Sequence, residues 1–217
     1  MDVYKRNPHS GKDPDSLVIF LHGLGANGQD LIGIAQYWAE AIPDTLFISP
    51  DAPEPCDMAP PEMTGSRQWF SMQDRRPEKI EQGVKKASAY LNAYIDQQSE
   101  EYNIPAEKIA LVGFSQGAMM SFFVGLQRND PLACILGYSG AFVGGEDLTP
   151  ESVTKTPVFL RHGDDDMVVP VDAFLQTKQR LTDLGLDVEG DTVPGLGHGI
   201  DDDGIDKGRS FLKKHLR

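Results

Sequence analysis

Apolar positions fall into two kinds of run along this chain. Short unbroken stretches rich in branched and aromatic residues recur at 17–21 (LVIFL), 45–49 (TLFIS), 109–114 (IALVGF), 133–139 (ACILGYS) and 157–163 (PVFLRHG), with a weaker one at 187–193 (DVEGDTV). Runs of this length read as strands, and the lack of polar alternation predicts strands covered on both faces, as in a parallel sheet between helix layers. Between them the period lengthens. Ile80, Val84, Ala87, Leu91, Tyr94 and Ile95 share one helix face behind a start at Pro77 and Glu78, which predicts an amphipathic helix. Further helices are predicted over 29–41, 116–127, 171–184 and 202–215. Strands alternating with helices imply an α/β fold, a mostly parallel, doubly wound central sheet with helices on both faces.

A chain of 217 residues suits one such domain spanning 1–217, and no repeat or linker divides it. The first fifteen residues, MDVYKRNPHSGKDPD, are expected to form an N-terminal extension or an edge hairpin. Residues 50–77 lack periodicity, are rich in proline and end in Trp69 and Phe70; a segment so long and irregular points to function and suits one wall of a pocket. Acidic residues outnumber basic ones by 33 to 20, for a net charge of −13. That balance argues against nucleic acid and against anionic lipid, leaving neutral, cationic or apolar partners. Cys56 and Cys134 provide neither a disulfide framework nor a metal pair. The longest apolar run, Leu17 to Leu21, is far too short to span a bilayer, and the opening residues lack the apolar core of a signal peptide. The expectation is a cytoplasmic protein without stable membrane insertion, as a monomer or homodimer.

The chemistry centres on Gly113-Phe114-Ser115-Gln116-Gly117, a G-x-S-x-G turn between a strand-like run and a helix-like one. In a chain with 22 glycines the match alone is weak, and by itself it marks no more than a turn residue. A serine hydroxyl attacks only when a base takes its proton, so a nucleophile requires a histidine held by a carboxylate, in the chain order Ser, Asp or Glu, His. Three histidines follow. His215 sits among lysines in a terminal helix turn, His162 ends a strand, and His198 lies in the glycine-rich loop PGLGHG at 194–199, the best placed of the three. Asp164, Asp165 and Asp166 follow the 157–163 strand. Asp166 is preferred because it precedes the Val-Pro restart of the chain, with Asp164 free to bond loop backbone and Asp165 to be solvated. The oxyanion donors expected are the backbone amides of Gln116 and, in the His22-to-Gly28 loop, of Leu24.

The segments FLHGLG (20–25), SPDAP (49–53), Trp69-Phe70, VGFSQGAMMS (112–121), HGDDDMVVP (162–170) and GLGHGI (195–200) together resemble the phospholipase/carboxylesterase family of serine α/β-hydrolases, which includes acyl-protein thioesterases. The resemblance runs from about Leu17 to Leu216. It implies a single-domain α/β-hydrolase fold and a serine carboxylesterase or thioesterase that needs neither metal nor cofactor, working through an acyl-enzyme on Ser115. Asp166 is then the orienting acid, His198 the base, and Leu24 and Gln116 the oxyanion donors. Acyl binding is expected near Trp69, Phe70 and Met63. The implied substrates are small esters, acyl thioesters or lysophospholipids, with lipidated proteins a further class. Ala26 and Gly199 depart from the family's acidic residue and serine at those places.

Two rival readings stand beside this one. Gly23-Leu24-Gly25-Ala26-Asn27-Gly28 is a literal G-x-G-x-x-G after a strand, with Asp51 placed as a ribose-binding acid, which would suit an NAD(P)-binding oxidoreductase. A noncatalytic ligand-binding protein of the same fold is the other. Neither gives Ser115, Asp166 and His198 a shared role. The acid runs at 164–166 and 201–203 lack calcium-loop spacing and are expected to be solvated loops.

Overall fold

The computed structural model describes residues 2–216. The strands in chain order are β1 (Val3–Arg6), β2 (Ser16–Leu21), β3 (Thr45–Pro50), β4 (Glu54–Pro55), β5 (Arg67–Gln68), β6 (Ile109–Phe114), β7 (Cys134–Tyr138), β8 (Val158–Gly163) and β9 (Val188–Val193). Seven of them form one sheet in the order β1-β3-β2-β6-β7-β8-β9, and β4 and β5 pair separately. Every neighbouring pair in the large sheet is parallel except β1 with β3, which is antiparallel. The residues at 3–6 carry no apolar pattern; they are a strand because β3 offers them an open edge.

The helices are α1 (Gly28–Ile32), α2 (Ala35–Trp38), α3 (Pro77–Tyr102), α4 (Gln116–Gly125), α5 (Val171–Asp183) and α6 (Asp202–His215). They split the core in two. Leu17, Ile19 and Leu21 of β2 pack with Val84, Leu91 and Ile95 of α3, while Val18 and Phe20 point the other way, toward Trp38 of α2 and Phe211 and Leu212 of α6. All five are fully buried. Burial on both faces explains the unbroken apolar run, and each such side chain contributes roughly 1.5–3 kcal/mol relative to exposure. Helix α4 is apolar on every side and buried throughout. Among the described residues no helix is long and apolar enough to cross a membrane.

The one helix expected over 29–41 is two short ones. Ile34, Gln36 and Tyr37 donate to carbonyls three residues back, those of Leu31, Gly33 and Ile34, so the chain tightens into 3₁₀-like turns around Gly33, a poor helix former. Trp38 is held by its Nε1–H, which donates 2.9 Å to the Ile205 carbonyl of α6.

Candidate active site

Ser115 is the residue between β6 and α4, at φ 54° and ψ −116°. That left-handed backbone costs a serine roughly 1–3 kcal/mol and persists only where its surroundings impose it. They do so here through close packing. A Cβ on Gly117 would stand 1.8 Å from the Leu21 carbonyl oxygen, and one on Gly113 2.4 Å from the Ala118 nitrogen. The Ser115 N–H donates 2.9 Å to Tyr138 of β7. Both glycines of the motif are thus demanded by how closely α4 approaches β2 and β6, and the serine is turned out at the strand end.

Asp166 follows β8. Its Oδ2 accepts from His198 Nδ1–H at 2.7 Å, and its Oδ1 accepts from the amides of Val168 and Val169, both at 2.8 Å. Burial alone pushes its carboxyl pKa up. The hydrogen bonds from His198 and from the two amides outweigh that and hold it below the usual carboxylate range. With Nδ1 committed to Asp166, the His198 ring has Nε2 left for exchange with a neighbour. Asp164 and Asp165 are exposed, and their amides tie the His198 loop by donating to Val193 and Leu196. The loop also presses on Gly163, where a Cβ would lie 2.1 Å from the Leu196 oxygen, and its Gly199 carbonyl accepts from Ser139 Oγ. The Phe114 ring lies 4.8 Å from the His198 ring, centroid to centroid.

Opposite the serine is the loop after β2. Among the described residues neither the Leu24 nor the Gln116 amide has a hydrogen-bond partner, and both residues line the cavity that holds Ser115 and His198. Fully buried His22 shapes this loop. Its Nε2 accepts from the Ala52 amide at 2.9 Å, which leaves Nδ1 as the protonated nitrogen, donating 2.7 Å to the Gly23 carbonyl; burial lowers the His22 pKa, in keeping with a neutral ring. Asp51 is spent on the helix start, its Oδ1 accepting from the Gly28 amide at 2.9 Å. A Cβ on Gly28 would meet the Ser49 oxygen at 2.3 Å. The G-x-G-x-x-G is therefore packed onto β3 with its acid occupied, and the dinucleotide reading loses its ribose ligand.

The cavity has a volume of about 220 Å³. Met72, Met119, Val168 and Phe114 give it apolar walls, and Asp30 and Arg75 its charges. Trp69 and Phe70 do not line it. They are buried and border a separate recess with Tyr90, Gly83 and Lys86, and Met63 is exposed on the 56–66 loop. Their contact with the site is indirect. The Gln116 side chain accepts from the Trp69 amide at 2.9 Å and donates to the Phe70 carbonyl at 2.7 Å, and Trp69 Nε1–H donates to the His22 carbonyl. Sequence reading passed over Met72 and Arg75, since an apolar or basic residue carries no sign of facing a cavity rather than core or solvent. The 201–203 acids are also not a solvated loop. Asp201 and Asp203 grip Arg161, a buried guanidinium on β8, at 2.7 Å each, and Asp191 of β9 completes the set. Among the described residues no three His, Cys, Asp or Glu side chains converge as a metal site requires.

Ser115, Asp166, His198 and Leu24 all lie just past the C-terminal ends of strands, on the edge of the sheet where open α/β folds place ligands. The architecture is that of an α/β-hydrolase. The model of the phospholipase/carboxylesterase family matches residues 8–216. Acyl-protein thioesterase 1 of Gibberella zeae is 32% identical, over 92% of this chain and 90% of that protein, and the esterase YpfH of Escherichia coli is 28% identical over 95% and 84%. Among solved structures, esterase PE8 superposes with a TM-score of 0.90 at 36% identity, covering 98% of each chain. SOBER1 of Arabidopsis thaliana gives 0.79 at 25%, over 93% of this chain and 99% of its own. The chain belongs to the phospholipase/carboxylesterase family. It is a hydrolase of the carboxylesterase and thioesterase kind, and the oxidoreductase and noncatalytic readings fall away.

Proposed function

We propose that the protein cleaves carboxylic esters and acyl thioesters through an acyl-enzyme on Ser115. His198 Nε2 takes the hydroxyl proton as Oγ attacks the carbonyl carbon, and Asp166 holds the imidazole and stabilises its charged form. The negative oxygen that develops is met by the amides of Leu24 and Gln116, each donor supplying on the order of 3 kcal/mol to the transition state. The tetrahedral adduct collapses as His198 returns the proton to the departing alkoxide or thiolate. Water, deprotonated by the same histidine, then releases the acid and restores Ser115. The observation that carries this reading is the 2.7 Å Asp166–His198 bond on the cavity that Ser115 also lines. The apolar walls suit a short or medium acyl chain, and the thioesterase relatives extend the candidates to lysophospholipids and lipidated proteins. Two free cysteines are in keeping with work in the reducing cytoplasm.

The test is hydrolysis of short and medium p-nitrophenyl esters in the presence of EDTA. Ser115→Ala is expected to lower kcat by about 10³-fold or more and Asp166→Asn by a similar order, with Asp164→Asn and Asp165→Asn near wild type. Undiminished turnover by Ser115→Ala, or a crippled Asp164 variant beside an active Asp166 variant, refutes the assignment.

A further inference from the structure

His162 is the last polar residue of β8 and is 1% exposed, yet the hydrolytic steps leave it without a task. Its Nε2 lies 2.7 Å from the Val169 carbonyl oxygen and 3.4 Å from Asp166 Oδ2. A carbonyl oxygen only accepts, so this nitrogen carries the ring's proton, and the same N–H stands at the carboxylate oxygen that receives His198. The opposite oxygen, Oδ1, binds the Val168 and Val169 amides. Val169 is therefore tied at both ends, its N–H by Asp166 and its C=O by His162. The ring has no slack of its own, being packed against Phe174 of α5 at a centroid separation of 6.1 Å.

We propose that His162 is a positioning residue for the acid-base pair, fixing the 166–169 turn and the angle at which Asp166 presents Oδ2 to His198. The inference rests on the reading of Ser115, His198 and Asp166 given above. An aspartate can swing about its terminal torsion, a broad two-fold one. Two amides hydrogen-bonded to one oxygen, the His198 N–H bonded to the other and the His162 N–H 3.4 Å from that same oxygen restrict that freedom. Without the His162 N–H, Val169 loses one anchor, the turn and carboxylate gain play, and the imidazole is aimed less well at the serine. Misplacement of about 1 Å remote from the reacting atoms can cost on the order of a hundredfold in rate. His162 does not itself line the acyl cavity, although Val168 and Val169 of the turn do, so the loss falls more heavily on kcat than on KM.

The experiment compares His162→Phe, which keeps a ring but has no donor, with His162→Gln, whose terminal amide reaches about as far as Nε2. Measurements are kcat and KM on a p-nitrophenyl ester, the rate of Ser115 labelling by a fluorophosphonate, and urea unfolding of each variant. The expectation is a fall of about tenfold or more in kcat and in labelling rate for His162→Phe at a KM within twofold. His162→Gln should recover to within about threefold of wild type. If His162→Phe does not fold, His162→Asn replaces it, since its shorter amide cannot reach the Val169 carbonyl, and the same fall is expected. A folded Phe or Asn variant with kcat within twofold of wild type overturns the proposal, as does a Gln variant as slow as Phe. Ser115→Ala run alongside separates the two layers: an active Ser115→Ala removes the reading of the site and this inference together, whereas an inactive one beside a fast His162→Phe removes this inference alone.

Discussion

The Gln116 amide faces the cavity while its side chain clasps the backbone of Trp69 and Phe70, so one residue joins the serine elbow to the end of the 50–77 segment. Gln116→Ala keeps the amide but strands a buried N–H and a buried carbonyl, each worth about 1–3 kcal/mol when left unpaired. The expected outcome is a loss of roughly 2–4 kcal/mol in urea unfolding together with a lower kcat. Gln116→Glu retains an acceptor for Trp69 but sets a second acceptor against the Phe70 carbonyl, and should lie between. Neither the clasp nor the His162 contact has a signature in one dimension, because a buried glutamine or histidine reads the same whether it bonds backbone or ligand. Ser115 itself was legible, since the glycines around it record a steric demand of the chain's own backbone.

At the level of elements, two glycines in helix-like sequence have opposite reasons to be there. Gly117 is fixed by contact, as its missing Cβ is what lets α4 sit on the Leu21 carbonyl. Gly33 has nothing within 4 Å of an added Cβ and helical angles of φ −59° and ψ −28°. Gly117→Ala should therefore fail to yield folded protein, judged by solubility and circular dichroism. Gly33→Ala should raise stability by roughly 0.5–1 kcal/mol through the helical preference of alanine and a more restricted unfolded chain, seen as a higher melting temperature. The same residue explains why the predicted 29–41 helix is broken. Periodicity marks which face is buried but does not register that its hydrogen bonds shorten to three-residue steps.

Across the whole molecule, Arg161 ties together the ends of the fold that carry the His198 loop, since its carboxylate partners lie on β9 before that loop and at the start of α6 after it. Arg161→Met is expected to cost about 1–3 kcal/mol, because it leaves partly buried Asp201 without its cation and its donors. Acid should act on the same set. Asp166 and Asp191 are pushed upward by burial but drawn below the usual range by their donors, and Asp201 is lowered first of all by its bonds from Arg161. All three bind fewer protons folded than unfolded, so their contribution is present above the ordinary carboxylate pKa of about 4 and fades as pH falls through the lower folded values. The urea midpoint should accordingly drop below pH 4. An Asp201→Asn variant should start less stable at pH 7 and lose less on acidification.

The sequence by itself determined the alternation of strands and helices, the two-sided burial of the sheet, the strained serine turn and the chain order Ser115, Asp166, His198. Each of these is written in local runs or in the order of short motifs: an unbroken apolar stretch, a period of 3.6, a glycine where no Cβ fits, and a serine turn, an acidic loop and a histidine loop following one another along the chain. Only the tertiary structure decided which residues meet. It turned Trp69 and Phe70 inward and left Met63 outside, gave the cavity Met72 and Arg75, drew Asp201 and Asp203 onto Arg161, and set His162 against Asp166. Core, pocket wall and ion pair are distinguished by what lies across a gap, and a partner tens of residues away leaves no local pattern by which to find it.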